Sequence, residues 1–192
     1  MEEFEIIKKN ILQCRACQEI FVFEPTPIFW GNETSKIVQI SQAPSKRVNE
    51  IEKPFMDQSG KTLKEQWYQI TEEEFYNPDN FYITAMAHCY PGKDKNGADR
   101  QPPQYCYEKW IQQEIKQIKN KLYIVIGAKA ASTLFPHQNY ETLIFQNHEL
   151  NGKPAIVLPH PSPLNRRWIK AHPEFLGKRI KEVREQIYKI IR

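Results

Sequence analysis

KIVQISQAPS, residues 36–45, decides how the rest of the chain is read. An apolar run rich in Ile and Val has the length of a buried strand, and it stops where Ala43-Pro44 breaks the ladder. The same pattern recurs. FYITAMAHC (81–89) and PAIVLPHPSP (154–163) each pass from an apolar run straight into a polar or proline-locked loop, and LYIVIG (122–127) is a further apolar run closed by Gly127. Working outward, the segments between these runs carry helical spacing. FEIIKKNIL (4–12) places Phe4, Ile7, Ile11 and Leu12 on one side, and residues 60–70 do the same with Leu63, Trp67 and Ile70. A long amphipathic helix is expected from Pro103, tolerated at a helix start, to about Lys119. AKAASTLF after Gly127 and a C-terminal stretch from about Pro173 to Ile191 complete the helices. Residues 142–158 read as a strand, an Asn151-Gly152 turn and a final strand.

Apolar runs alternating with helices predict a three-layer α/β/α domain with a mainly parallel central sheet of about four strands. No composition shift divides the chain, so residues 1–192 are read as a single domain. In open α/β sheets the ligand crevice lies outside the carboxyl ends of the strands. The loops SQAPS, TAMAHC and PHPSP are therefore expected to meet at one edge and form a site.

Composition narrows the classes. The 192 residues are 40% hydrophobic and 26% charged, with a formal net charge of +4, which excludes a disordered or fibrous chain and permits a polyanionic partner without requiring one. No apolar run approaches the ~20 residues that span a bilayer, and the acidic start MEEFEIIKKN carries no secretory pattern. The expectation is a soluble, cytoplasmic monomer with no membrane partner.

Cys14 and Cys17 form a C-x2-C pair, while Cys89 and Cys106 lie far downstream. Without an export signal, disulfides are the weak reading. Four thiolates suit a tetrahedral zinc or an iron–sulfur cluster; the alternative is an incidental or redox pair plus two buried free cysteines. One tight pair with two separated ligands fits a cluster stitched across distant segments better than a zinc ribbon. His88, next to Cys89, is a candidate neighbour of that site.

Among the loops, His160 in HPSP can donate a proton or a hydrogen bond near neutral pH, or simply cap the end of a strand. Gln42 is the hydrogen-bonding side chain of SQAPS, and that loop holds no carboxylate to act as a base. Phe55, in KPFMDQSG, either stacks on a flat ligand or is an ordinary core residue. Asn165, Arg166, Arg167 and Lys170 make a basic patch beside Leu164 and Trp168, the pairing of an apolar wedge with cations that a DNA-distorting loop uses. His137, His148 and His172 read as solvated surface residues.

Together these segments resemble the uracil-DNA glycosylase superfamily, most closely its iron–sulfur branch, usually called family 4. The order C-x2-C, SQAPS, PFMDQSG, YITAMAHC, a Pro-rich loop, Cys106 at a helix start, IVIGAKAA and HPSPLNRR runs over roughly residues 14–167. The resemblance implies hydrolysis of the N-glycosidic bond of a deaminated base in DNA, with the base flipped out of the stack. It implies a largely structural [4Fe–4S] cluster on Cys14, Cys17, Cys89 and Cys106, with zinc as the alternative metal. Gln42, Ala43 and Pro44 would edge the base pocket and hold the attacking water, Phe55 would stack on the ring, and His160 would hydrogen-bond the base's O2. Ser162 and its prolines would pinch the DNA backbone, Leu164 would fill the vacated stack, Asn165 lies in the same DNA-contacting loop, and Arg166 and Arg167 would meet phosphates. Two positions depart from the branch. Ala43 stands where some superfamily members have a water-activating Asp, which implies a dissociative path. Ala85 stands where an Asn usually reads the uracil edge, which implies weaker selection for uracil and activity on a base such as hypoxanthine. The competing expectations are a catalytically weak lesion- or DNA-binding member of the superfamily and a small iron–sulfur redox protein.

Overall fold

The computed structural model describes residues 2–18 and 24–192. Its centre is a sheet in which every residue of β1 (Ile37–Ser41), β2 (Phe81–Ala85) and β3 (Leu122–Ile126) is buried. Runs apolar on both faces become interior parallel strands because helices cover both sides. The order is β2-β1-β3-β5-β4, with β5 (Lys153–Leu158) parallel to β3 and β4 (Asn147–Leu150) antiparallel to β5. Register aligns Ser41 with Ala85 and Ile126 with Leu158, so the carboxyl ends of the parallel strands stand along one edge.

The helices follow the predicted order. α1 (Glu2–Leu12) packs on α6 (Gln112–Gln117). α2 (Lys46–Ile51) follows β1. α3 (Gln58–Lys61) continues as a wide π segment over Thr62–Tyr68, against which α10 (Ile180–Ile191) packs. α4 (Glu72–Tyr76) precedes β2 with a reciprocal cap between Thr71 and Glu74. α7 (Ala128–Leu134) follows β3. The core joins Trp67, Tyr68, Phe75, Phe81 and Phe175 to the strand residues.

Several expectations are corrected. The sheet has five strands rather than about four. Residues 142–145 belong to α8 (Tyr140–Phe145), not a strand, because the Asn139 side chain accepts the Thr142 N–H at 3.0 Å and starts a helix that buries Leu143 and Ile144. The helix expected over 103–119 is built as α5 (Gln104–Cys106), a π segment (Tyr107–Ile111) and α6. The C-terminal helix opens with another π segment, Phe175–Arg179, whose Arg179 guanidinium is buried on the carbonyls of Ile144 and Gln146. His148 and His172 are half-buried rather than solvated, bonding the carbonyls of Leu143 and Trp168.

Both sheet edges are modified. Trp30 makes an isolated antiparallel bridge with Ile83 on the outer side of β2, through N–H···O bonds of 2.9 and 2.8 Å. On the other edge, β4 alternates exposed and half-buried residues, with Asn147 and Glu149 outward.

Candidate active site

The three loops expected to converge do so around a cleft of about 450 Å³, within the ~300–1,000 Å³ typical of small-ligand sites. From β1 come Gln42, Ala43 and Pro44, and from β2 comes Ala85, 4% exposed. After β5 come His160, Ser162, Leu164 and Asn165.

His160 is held on two sides. The Ser162 backbone N–H donates to its Nδ1 at 3.2 Å, and the Asn165 side-chain amide donates to its carbonyl at 2.7 Å. An Nδ1 that accepts places the proton of the neutral ring on Nε2, an assignment made from the hydrogen-bond network. Burial lowers the His160 pKa below the usual histidine value, and the nearby Asp57 charge only partly opposes that shift. The ring is thus a neutral donor of fixed tautomer.

Phe55 is a core residue that also stands at the cleft. It is 8% exposed, belongs to the core, meets Phe75 edge-on at 6.1 Å, and still lines the cleft. Its backbone has φ 56°, a left-handed conformation. Gly60 packs directly on that kink: a Cβ there would lie 1.8 Å from the Phe55 carbonyl oxygen, so only glycine fits.

The sequence reading missed Asp57. Its Oδ1 accepts the Gly60 N–H at 3.0 Å, capping α3, and its Oδ2 accepts the Ser45 hydroxyl at 3.0 Å. Ser45 in turn caps α2 through the Val48 N–H. These bonds join the Pro44 loop to the Phe55 loop and set a carboxylate in the cleft. The signal was present as an Asp three residues before Gly60, an N-cap pattern in the turn that holds Phe55. Asp99 and Arg100, which also line the cleft, were read only as polar loop.

Leu164 is 92% exposed, at the tip of a 3₁₀ turn (Pro163–Asn165) whose Ser162 hydroxyl accepts the Leu164 N–H at 3.1 Å. Arg166 and Arg167 are exposed on the first turn of α9 (Arg166–Ala171) and do not line the cleft.

A second, apolar pocket brings Cys14, Cys17, Cys89 and Cys106 together with Ile11, Ala87 and Trp110. The Trp110 indole N–H donates to Cys14 Sγ at 3.4 Å. Burial, then the neighbouring thiols, pushes Cys89 up to about 12; burial also pushes Cys106 up to about 12. Cations among the sulfurs would offset the repulsion of four thiolates, so the donor set fits a thiolate-bound metal group. Among the described residues no three His, Cys, Asp or Glu side chains are grouped to hold a metal ion.

His88 lines this pocket, and its Nε2 lies 3.0 Å from the fully buried Glu114 carboxylate, close enough for an ion pair but not aligned as a hydrogen bond. Glu114 also accepts from the hydroxyls of Tyr82 and, at 3.4 Å, Thr84. Thr84 lines the cleft, so one buried carboxylate spans the two pockets.

No helix among the described residues is long and apolar enough to cross a membrane. The parallel sheet flanked by helices, with its cleft at the carboxyl ends of the strands, agrees with a family match over residues 28–184, which takes in the whole cleft together with Cys89 and Cys106 and begins after Cys17. On that match the chain belongs to the Uracil DNA glycosylase superfamily.

Proposed function

We propose that the protein is a monofunctional DNA glycosylase that hydrolyses the N-glycosidic bond of uracil or another deaminated base, leaving an abasic site. The observation that carries this reading is His160: a half-buried, neutral imidazole whose Nδ1 is occupied by the Ser162 N–H and whose Nε2 proton is left for a ligand. As the C1′–N bond breaks, its electron pair moves onto the base, and Nε2–H stabilises the charge that gathers on O2. A donor of this kind accounts for about 10²–10³ in rate. Phe55 stacks on the flipped ring, a contact worth ~1–3 kcal/mol.

Asp57 changes the account of the water. Ala43 supplies no base, but the Asp57 carboxylate enters the same cleft from the next loop. It offsets the positive charge growing on the sugar and takes the proton from the water that attacks C1′. Gln42 orients that water. Leu164 fills the vacated stack, Ser162 and Asn165 shape the loop against the backbone, and Arg166 and Arg167 meet phosphates. Cys14, Cys17, Cys89 and Cys106 would hold a [4Fe–4S] cluster, which would tie α1 to the turn after β2 and to α5.

The test is purified protein incubated with oligonucleotides carrying uracil, hypoxanthine, xanthine or a mismatch, followed by alkaline cleavage. Strand scission at one or more deaminated bases is expected. Tight binding without scission at any of them would overturn the catalytic reading.

A further inference from the structure

One wall of the cleft takes no part in bond cleavage. Beyond β2 the chain runs through Tyr90 into a short hairpin in which Lys93 and Asp99 form an isolated antiparallel bridge. At its tip Asp94 Oδ1 accepts the N–H groups of Asn96 (2.8 Å) and Ala98 (3.0 Å), and at its base the Arg100 N–H donates to the Gly92 carbonyl at 2.9 Å. Lys93 Nζ lies 2.9 Å from Asp99 Oδ1, and the Tyr90 hydroxyl donates to the same oxygen at 3.4 Å. A carboxylate has acceptor sites on both oxygens, so these bonds orient Asp99 without exhausting it. The returning arm brings Asp99 and Arg100 into the cleft that Ala85 also lines.

Topology fixes which part of a bound base this wall meets. β1 and β3 separate β2 from β5, so the loops after β2 and β5 flank the cleft from opposite sides. With His160 on O2 and N1 held by the sugar, the remaining polar edge of a uracil ring, N3–H and O4, is the one left for the β2 side. The Ala85 methyl group there neither donates nor accepts.

We propose that Asp99 and Arg100 read this edge in place of a single amide side chain. The Arg100 guanidinium donates to the exocyclic oxygen, and the Asp99 carboxylate accepts the ring N–H. Hypoxanthine offers the same pair of groups as O6 and N1–H. Cytosine and adenine offer the reverse, an exocyclic amino donor beside an unprotonated ring nitrogen. Against them donor meets donor and acceptor meets acceptor; the Asp99 side chain is 53% exposed in the free protein, so that mismatch counts once a bound base covers it. The hairpin therefore separates uracil from cytosine and hypoxanthine from adenine, while thymine and guanine, which carry the same oxo and N–H pair, are left to the shape of the pocket to exclude. This inference rests on the glycosylase reading, because it takes His160 as the O2 donor.

The experiment compares single-turnover excision of uracil and of pyrimidin-2-one, which keeps O2 but has neither O4 nor N3–H, by wild type, Arg100→Ala and Asp99→Asn. Intrinsic leaving-group differences cancel when the uracil to pyrimidin-2-one ratio is compared between variants. A hydrogen bond to a charged group supports a fall in that ratio of about 10–150-fold for Arg100→Ala, with a smaller fall for the isosteric Asp99→Asn. Thermal melting checks that both variants are folded, and Arg100→Met, which keeps the stem and removes the donors, decides if Arg100→Ala is not. Equal slowing of both substrates, with a salt slope of binding reduced by about one, would make Arg100 a phosphate contact and overturn the inference, as would ratios that do not move. No abasic product from wild type on uracil would instead overturn the glycosylase reading beneath it.

Discussion

Leu164→Ala is the most discriminating single change. The side chain is 92% exposed in the free protein, so its truncation removes almost no buried area and should leave the melting temperature where it was. Its contribution arises only when the loop enters a duplex and the Leu side chain occupies the space of the departed nucleotide. Leu→Ala removes three carbons, which at ~0.8 kcal/mol per buried methylene gives about 2.4 kcal/mol at full burial. At about 1.4 kcal/mol per tenfold, that limits the loss to about 60-fold, and partial burial brings it nearer tenfold. The assay is single-turnover excision of the same lesion from duplex and from single-stranded oligonucleotide. The duplex rate should fall about 10–60-fold, while the single-strand rate, with no stack to fill, should stay within about twofold. Equal losses on both substrates, or none on the duplex, would refute the wedge role of the 162–165 turn.

Further outcomes follow for His160, for Asp57, for the cysteines and for the arginine pair. His160→Ala should lower turnover about 10²–10³-fold with little change in substrate affinity; an unchanged single-turnover rate would leave His160 a structural residue. Because burial holds its pKa below 6.5, the neutral form persists as pH falls through 6.5, so the single-turnover rate should stay level there and drop only at lower pH. The same shift means the unfolded chain binds a proton before the folded one does, so stability should decline below about pH 6.5. Asp57→Asn keeps the Gly60 cap through its one carbonyl oxygen, reverses the Ser45 bond so that the amide donates to the hydroxyl, and removes the charge; turnover should drop at least tenfold, and wild-type rates would return the water to Gln42 and main-chain groups. Anaerobically purified protein should be brown with close to four irons per chain, and Cys89→Ser should reduce both colour and soluble yield; stoichiometric zinc without iron would remove the cluster. Arg166→Ala with Arg167→Ala should weaken binding across sequences and reduce its salt slope by about one per lost phosphate contact.

What the sequence revealed, and what it hid, follows from how local each signal is. β1, β2 and β3 were legible because burial on both faces leaves runs dominated by Ile, Val, Phe and Tyr, interrupted only by Gln39, Ser41 and Thr84. The meeting of Gln42, Ala85 and His160 was legible because each loop leaves the carboxyl end of a strand in one parallel sheet. The helix at 140–145 was hidden because a single Asn139 side chain, not periodicity, starts it. Asp57 was hidden for another reason. The spacing of Asp57 and Gly60 marks a helix cap, but the place of Asp57 in the cleft depends on the left-handed kink at Phe55 that Gly60 accommodates, and no spacing shows that kink. The hairpin at 93–99 reads as a polar loop in composition, and only its register carries Asp99 and Arg100 back to the cleft.

The single bridge between Trp30 and Ile83 bears on how this chain survives its own synthesis. A parallel sheet pairs segments distant in sequence and is slow to complete, leaving strand edges open meanwhile. Of the two edges, β4 is short and carries outward polar groups. β2 is wholly buried and, Thr84 apart, apolar, the kind of edge that templates aggregation between nascent chains. By taking both the N–H and the carbonyl of Ile83, Trp30 closes that edge at its midpoint with a segment made before β2 leaves the ribosome. A Pro at position 30 would delete the donor half of the bridge, and its first symptom should be inclusion bodies, before any defect in chemistry.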